Sequence, residues 1–212
     1  LEACTDSFIC PSQFIADKMI QGGFDKSKMH TLCNFIDVEK CEEADYLKKD
    51  YYCYIGRISH EKGIKTLIAA ANRLPHKLVI IGKGPLDAEM KKLAGPNVEF
   101  AGFKQWNEIK RIVGQARFCV IPSECYENNP LSVIESQCLG TPVLGAQIGG
   151  IPELIQEGCN GLHFRSRDTD DMTAKIQAMY DAPFDYPSIA LEAKKRYNSE
   201  TYYKQLIQLY NL

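Results

Sequence analysis

A chain of 212 residues, 45% apolar and 25% charged, is long enough to bury one sizeable core and has the composition of an ordinary globular protein. Its net charge of −2 gives no electrostatic case for nucleic acid or an anionic membrane surface as a partner, and no apolar run approaches the roughly 18 residues of a membrane-spanning helix. The nine cysteines form no C-x-x-C pair, and several fall within apolar strand or helix patterns, so they read as reduced core thiols of a cytoplasmic protein. His30, His60, His76 and His163 have no ligand spacing and no Asp-x-Asp is present, so neither a structural nor a catalytic metal is expected.

In chain order, residues 4–10 read as a short strand. Pro11-Ser12 then opens a helix with Phe14, Ile15, Met19 and Ile20 on one side, and Gly22-Gly23 ends it. Residues 39–50 are charged and expected at the surface. A strand over 51–58, with Gly56-Arg57 near its end, leads through a loop carrying Lys62-Gly63 into a helix that aligns Ile64, Leu67, Ile68, Ala71 and Leu74. Strands over 78–81, 97–102, 118–121, 142–145 and 161–164 alternate with helices over 86–93, 106–115, the stretch after Pro130, a short one over 151–156, and 168–180 with Asp168 at its start. Two further helical stretches follow Pro187, the last with Tyr203, Leu206, Leu209 and Tyr210 at helical spacing. Such alternation predicts an α/β fold, a Rossmann-like parallel sheet with helices on both faces and right-handed crossovers.

The stretch most charged with chemistry is Pro122 to Pro142. It begins in the loop at the carboxyl end of a buried strand, the edge where open α/β sheets bind ligands. The residue before a proline is pushed out of the helical region, so Asn129 should be extended and Pro130 should be the first helical residue. Glu127 then lies in the loop, and Glu135 lies inside the helix on one face with Leu131 and Cys138 packing inward. Eight helical residues would separate the two carboxylates by about 12 Å. That exceeds the roughly 5–9.5 Å between the acid and base of a glycoside hydrolase, so a shared proton transfer is not expected. Between them a helix N-terminus offers free N–H groups and the positive end of a dipole, which suits a phosphate. Arg57 and Lys62, five residues apart on one loop, aim two positive charges at the same edge.

The Glu-x7-Glu pattern of Glu127 and Glu135, followed by Gly140-Thr141-Pro142-Val143 and Gly149-Gly150-Ile151-Pro152-Glu153, resembles the donor-binding half of retaining glycosyltransferases of the GT-B fold, in the group 1 or GT4 family. The likeness runs from about Asn34 to about Tyr180. The resemblance implies that residues 1–36 are the remnant of an N-terminal, acceptor-binding domain and its linker, that 37–184 form the nucleotide-sugar domain, and that 185–212 are C-terminal helices; the chain would be a piece of a longer enzyme. Phe35 stands where the family's linker has glycine. As the resemblance assigns the roles, Arg57 and Lys62 hold the diphosphate and Glu127 contacts the donor sugar, these three being the catalytic set. Glu135 would hold the ribose, and the backbone N–H groups of Asn128 and Asn129 would meet the sugar. Those of Leu131 and Ser132 would meet the diphosphate, while Gly82, Gly102 and Phe103 would surround the base. No cofactor or metal is implied. The donor is a nucleoside-diphosphate sugar, and the acceptor is a glycan, lipid or small molecule met through the first domain. The full-length enzyme would be cytoplasmic or lie at the inner face of the membrane.

Each of these residues also has an ordinary reading: solvated cations for Arg57 and Lys62, a helix-start carboxylate for Glu127, and strand-end glycines without a ligand. A non-catalytic nucleotide-binding module and a GT-B-fold epimerase or phosphorylase remain open as alternatives.

Overall fold

The computed structural model describes residues 4–41 and 46–210. Part of the charged 39–50 segment thus lies outside the described residues, and within the rest Cys41 is buried, not at the surface.

The chain opens with β1 (Phe8–Cys10), α1 (Gln13–Gln21) and β2 (Met29–Thr31), and β1 and β2 pair in parallel as a small sheet of their own. β2 lies within the 1–36 stretch that the resemblance gives to the remnant and its linker, and its three residues are too few for alternation to declare a strand. Ser12 caps α1, its Oγ accepting from the Ile15 N–H at 3.3 Å.

The main body follows: β3 (Tyr51–Ile55), α2 (Ile64–Ala71), β4 (Lys77–Ile81), α3 (Asp87–Leu93), β5 (Val98–Gly102), α4 (Trp106–Gln115), β6 (Cys119–Ile121), α5 (Leu131–Cys138), β7 (Val143–Ala146), β8 (Gly161–Phe164), α6 (Thr169–Asp181), α7 (Tyr186–Arg196) and α8 (Ser199–Tyr210). The strand expected over 51–58 ends at Ile55, because Gly56 turns the chain out of the sheet. The short helix expected over 151–156 is a single 3₁₀ turn, Ile151–Leu154.

Six strands form one sheet in the order β5-β4-β3-β6-β7-β8, every neighbouring pair parallel. Parallel strands covered on both faces need continuous apolar runs, and β4 (Lys77 apart), β6 and β7 supply them, all buried. The chain starts at the centre in β3, works outward through β4 and β5, returns to the centre at β6, and works outward the other way. Right-handed crossovers therefore place α2 and α3 on one face and α5 on the other. Between β3 and β6 the order reverses, and a crevice opens at their carboxyl ends.

α7 and its C-cap residue Tyr197 add to the core that the sheet builds, α7 through Ile189 and Ala193. α8 buries no residue completely: Tyr203, Ile207 and Tyr210 are exposed, while Tyr202 meets Phe35 with ring centroids 4.4 Å apart. All nine cysteines are free thiols, and five are buried. Among the described residues no helix is long and apolar enough to cross a membrane.

Candidate functional site

A cavity of about 320 Å³ occupies the crevice, lined by Arg57, Lys62, Ser123, Glu127, Ser132 and Glu135 together with Tyr54, Ile55, Gly56, Ile121, Pro130 and Leu131. Three elements position these groups. The first is the end of β3, whose backbone is fixed just beyond the sheet: Tyr54 Oη donates to the Arg57 carbonyl at 2.7 Å and the Ile58 N–H to the Lys83 carbonyl at 3.1 Å. A 3₁₀ turn, His60–Lys62, then carries Lys62 back over the cavity and closes on Gly63 in the left-handed conformation (φ 67°).

The second element is the loop after β6, which carries Ser123 and Glu127. Lys62 Nζ lies 2.5 Å from Glu127 Oε1, and Ser123 Oγ donates to the same oxygen at 2.8 Å. The backbone beneath Glu127 is held by the Gly149-Gly150 turn, where the Gly150 N–H donates to the Glu127 carbonyl at 2.6 Å. A Cβ at Gly149 would stand 2.4 Å from that carbonyl oxygen, and one at Gly150 would stand 1.8 Å from the Asn128 oxygen, so this close approach requires glycine at both positions.

The third element is α5. Pro130 (φ −69°, ψ 122°) is its cap residue and the helix begins at Leu131, one residue later than the sequence suggests. No side chain caps this end, so the Leu131 and Ser132 amides, which helix geometry leaves without intrahelical acceptors, remain available to an anion. Leu131 does not pack inward: as the first residue of α5 it overhangs the cavity and is 46% exposed, while Val133, Ile134 and Cys138 are buried in the core. Glu135 is half-buried and, among the described residues, its side chain makes no hydrogen bond or ion pair. Desolvation pushes its carboxyl above the usual range.

Glu135 and Leu131 also border a second, mostly apolar cavity of about 410 Å³, completed by Phe35, Ile36, Asp37, Lys40 and Trp106. None of those five was a candidate from the sequence. The Trp106 indole N–H donates to the Lys40 carbonyl at 3.2 Å and fixes one wall.

The remaining candidates stand apart from both cavities. Asn129 is 5% exposed and serves as a clasp: its Oδ1 accepts from the Asn34 N–H at 3.1 Å and its carbonyl from Asn34 Nδ2 at 3.0 Å. Asn128 is exposed, with its carbonyl under Gly150. Gly82 (φ 139°) abuts Gly56, whose carbonyl oxygen would lie 1.9 Å from an added Cβ, and its N–H donates to the Gly102 carbonyl at 2.9 Å. Close packing on Gly56 thus accounts for Gly82, whereas at Gly102 an added Cβ would meet nothing within 4 Å and it is the left-handed backbone (φ 73°) that favours glycine. Phe103 is 64% exposed and lines neither cavity. Ser123 was missed by the sequence analysis. Its position at a strand end four residues before Glu127 was visible, but spacing within a loop does not say where a hydroxyl points.

The 153 carboxylate supplies a further structural link. Glu153 Oε2 and Oε1 accept from the backbone N–H groups of Gln13 and Phe14 at 2.8 and 2.7 Å, completing the cap of α1 from the far end of the chain. Phe14 meets Tyr126 edge to face, with centroids 4.8 Å apart. Among the described residues no three His, Cys, Asp or Glu side chains come together as a metal-ligand set.

A six-stranded parallel sheet of Rossmann-like topology, with cations, carboxylates and an uncapped helix start gathered at its switch point, places the chain among the doubly wound α/β proteins, which take their ligands at that edge. The sequence pattern of the family described as "Glycosyl transferases group 1" matches residues 36–202, and the chain belongs to that family. It is 33% identical over 137 residues to the sulfoquinovosyl transferase SQD2 of Arabidopsis thaliana, covering 62% of this chain and 27% of that protein. To the glycogen synthase of Mycobacterium tuberculosis it is 29% identical over 157 residues, covering 69% and 38%. Its fold matches that of the lipopolysaccharide outer core galactosyltransferase WaaB, apo form (TM-score 0.85, 16% identity, 96% of this chain and 61% of that one). It also matches Anabaena Alr3699/HepE in complex with UDP (TM-score 0.86, 20% identity, 98% and 64%). The fold is thus one Rossmann-like half of the GT-B architecture. The chain spans between 27% and 49% of the length of the first curated relatives it matches.

Proposed function

We propose that this chain is the donor-binding half of a retaining glycosyltransferase that moves a hexosyl group from a nucleoside diphosphate to an acceptor hydroxyl. The observation that carries the reading is the single cavity at the switch point, where Arg57, Lys62, Glu127, the start of α5 and Glu135 converge. The diphosphate lies at the Leu131 and Ser132 amides, between Arg57 and Lys62. As the bond to the sugar breaks, negative charge grows on the leaving diphosphate, and these fixed donors stabilise it without reorganising. The charge is met by this chain's own cations and amides, and the reading calls for no cofactor. Glu135, whose carboxylate has no partner among the described residues, accepts from the ribose hydroxyls, and the base enters the apolar cavity between Phe35 and Trp106. Glu127 faces the sugar. Acceptor binding falls to residues outside this sheet.

Calorimetry with UDP, GDP and ADP and with their glucose and mannose conjugates tests the assignment. Arg57→Ala is expected to lower diphosphate affinity by about 10- to 100-fold, the range of a charge-assisted contact. Glu127→Ala should leave free diphosphate binding nearly unchanged and abolish the extra affinity due to the sugar. Lys62→Ala should affect both, because Lys62 touches Glu127 as well as the diphosphate edge. Equal losses for all three variants on every ligand would overturn the reading.

A further inference from the structure

The two oxygens of the Glu127 carboxylate are not equivalent. Oε1 receives Lys62 Nζ at 2.5 Å and Ser123 Oγ at 2.8 Å, whereas Oε2 receives nothing from the described residues. A terminal carboxylate torsion is broad and roughly two-fold, so one donor from a long lysine would leave the plane of the group free to swing. The second donor removes that freedom. Ser123 is 2% exposed, its carbonyl accepts from Ser166 Oγ at 3.1 Å, and its hydroxyl cannot turn to solvent. A serine at a strand end commonly bonds to nearby backbone; this one reaches a carboxylate four residues on.

We infer that Ser123 is a positioning residue for the donor sugar: with Lys62 it saturates Glu127 Oε1 and thereby presents Oε2 alone, as the acceptor for one sugar hydroxyl. The inference rests on the proposed reading of the cavity. It follows that the site selects a donor sugar with a free hydroxyl at that point, and that a deoxy sugar there forfeits the contact. Lys62 also becomes the bridge between the sugar-facing carboxylate and the diphosphate, so the two halves of the ligand are sensed through one ammonium group.

The test is a double-mutant cycle on the intact protein, read as the ratio of affinities for a sugar conjugate and its free diphosphate, using whichever of UDP, GDP or ADP with its glucose or mannose conjugate the wild type binds. Ser123→Ala, and Ser123→Cys as a variant of similar volume with a weak donor, should lower this ratio about tenfold and leave diphosphate affinity unchanged. In the Glu127→Ala background the same substitutions should change nothing further. A merely structural serine would lower both affinities together, or act equally in the two backgrounds, and either result would overturn the inference. Binding of a diphosphate with no gain from any conjugate would likewise remove Glu127 and Ser123 from the sugar site. Failure of all three diphosphates to bind would instead sink the reading of the cavity itself.

Discussion

A carboxylate such as Glu135, held half out of water inside a helix and without a partner among the described residues, lowers the stability of the protein that carries it. Desolvation raises its folded-state pKa above the unfolded value of 4.5. The folded state therefore binds the proton more tightly, the cost of the charge is absent at acidic pH, and it grows as pH rises through the interval between the two pKa values. Replacing the group by a neutral isostere should then stabilise the protein at neutral pH and not at low pH. We expect Glu135→Gln to raise the melting temperature at pH 7, with the gain vanishing at acidic pH, below the interval between the two pKa values. The same substitution should weaken a ribonucleotide far more than its 2′,3′-dideoxy counterpart. Thermal melts across pH and paired calorimetric titrations check the two halves. A carboxylate with only a structural role would show no such exchange of stability for binding.

At the scale of elements, the alternation of strands and helices was legible because both periods are written in apolar residues. β8 and α4 fall on the residues expected of them, most other elements begin or end within one or two residues of expectation, and the strands expected over 4–10 and 51–58 are shorter, Phe8–Cys10 and Tyr51–Ile55. Arg57, Lys62, Glu127, Ser132 and Glu135 line one cavity: Arg57 and Lys62 follow the end of β3, Glu127 lies in the loop after β6, and Ser132 and Glu135 lie in the first two turns of α5. Contacts between segments distant in sequence were not legible. Nothing in the spacing of Asn129 tells that its amide clasps Asn34, and nothing near Glu153 tells that its carboxylate caps a helix 140 residues earlier. That cap carries a prediction of its own. α1 is fastened to the 3₁₀ turn by Glu153, and the turn leads back through Gly149-Gly150 to the backbone of Glu127. Glu153→Ala leaves two helix-end N–H groups without an acceptor, at a cost of about 1–2 kcal/mol. Hydrogen exchange at the Gln13 and Phe14 amides should accelerate by at least about tenfold while the central strands keep their protection. Unchanged exchange at those two amides would show that the carboxylate is only a neighbour of the helix.

The whole molecule presents its site at one open edge. The described residues build one large sheet, and at the rim of the cavity Leu131 is 46% exposed. A diphosphate can be met from one side, because cations and amides at a helix start bind it without enclosure. Transfer demands more. The acceptor hydroxyl must be held close to the anomeric carbon, and water must be kept from competing for it. The first curated relatives are between two and four times as long as their matched stretch. We therefore expect the 212-residue chain by itself to bind a nucleotide and to transfer no sugar. Binding at a hundredfold excess over the dissociation constant stabilises by about 2.7 kcal/mol, which should appear as a rise in melting temperature of roughly 5–10 °C. Incubation with the same nucleotide sugar and a panel of glycan, lipid and small-molecule acceptors should give product at background level only. Multiple turnovers by the isolated chain would mean that this one sheet, with its small N-terminal unit docked through Glu153, already places the acceptor and excludes water.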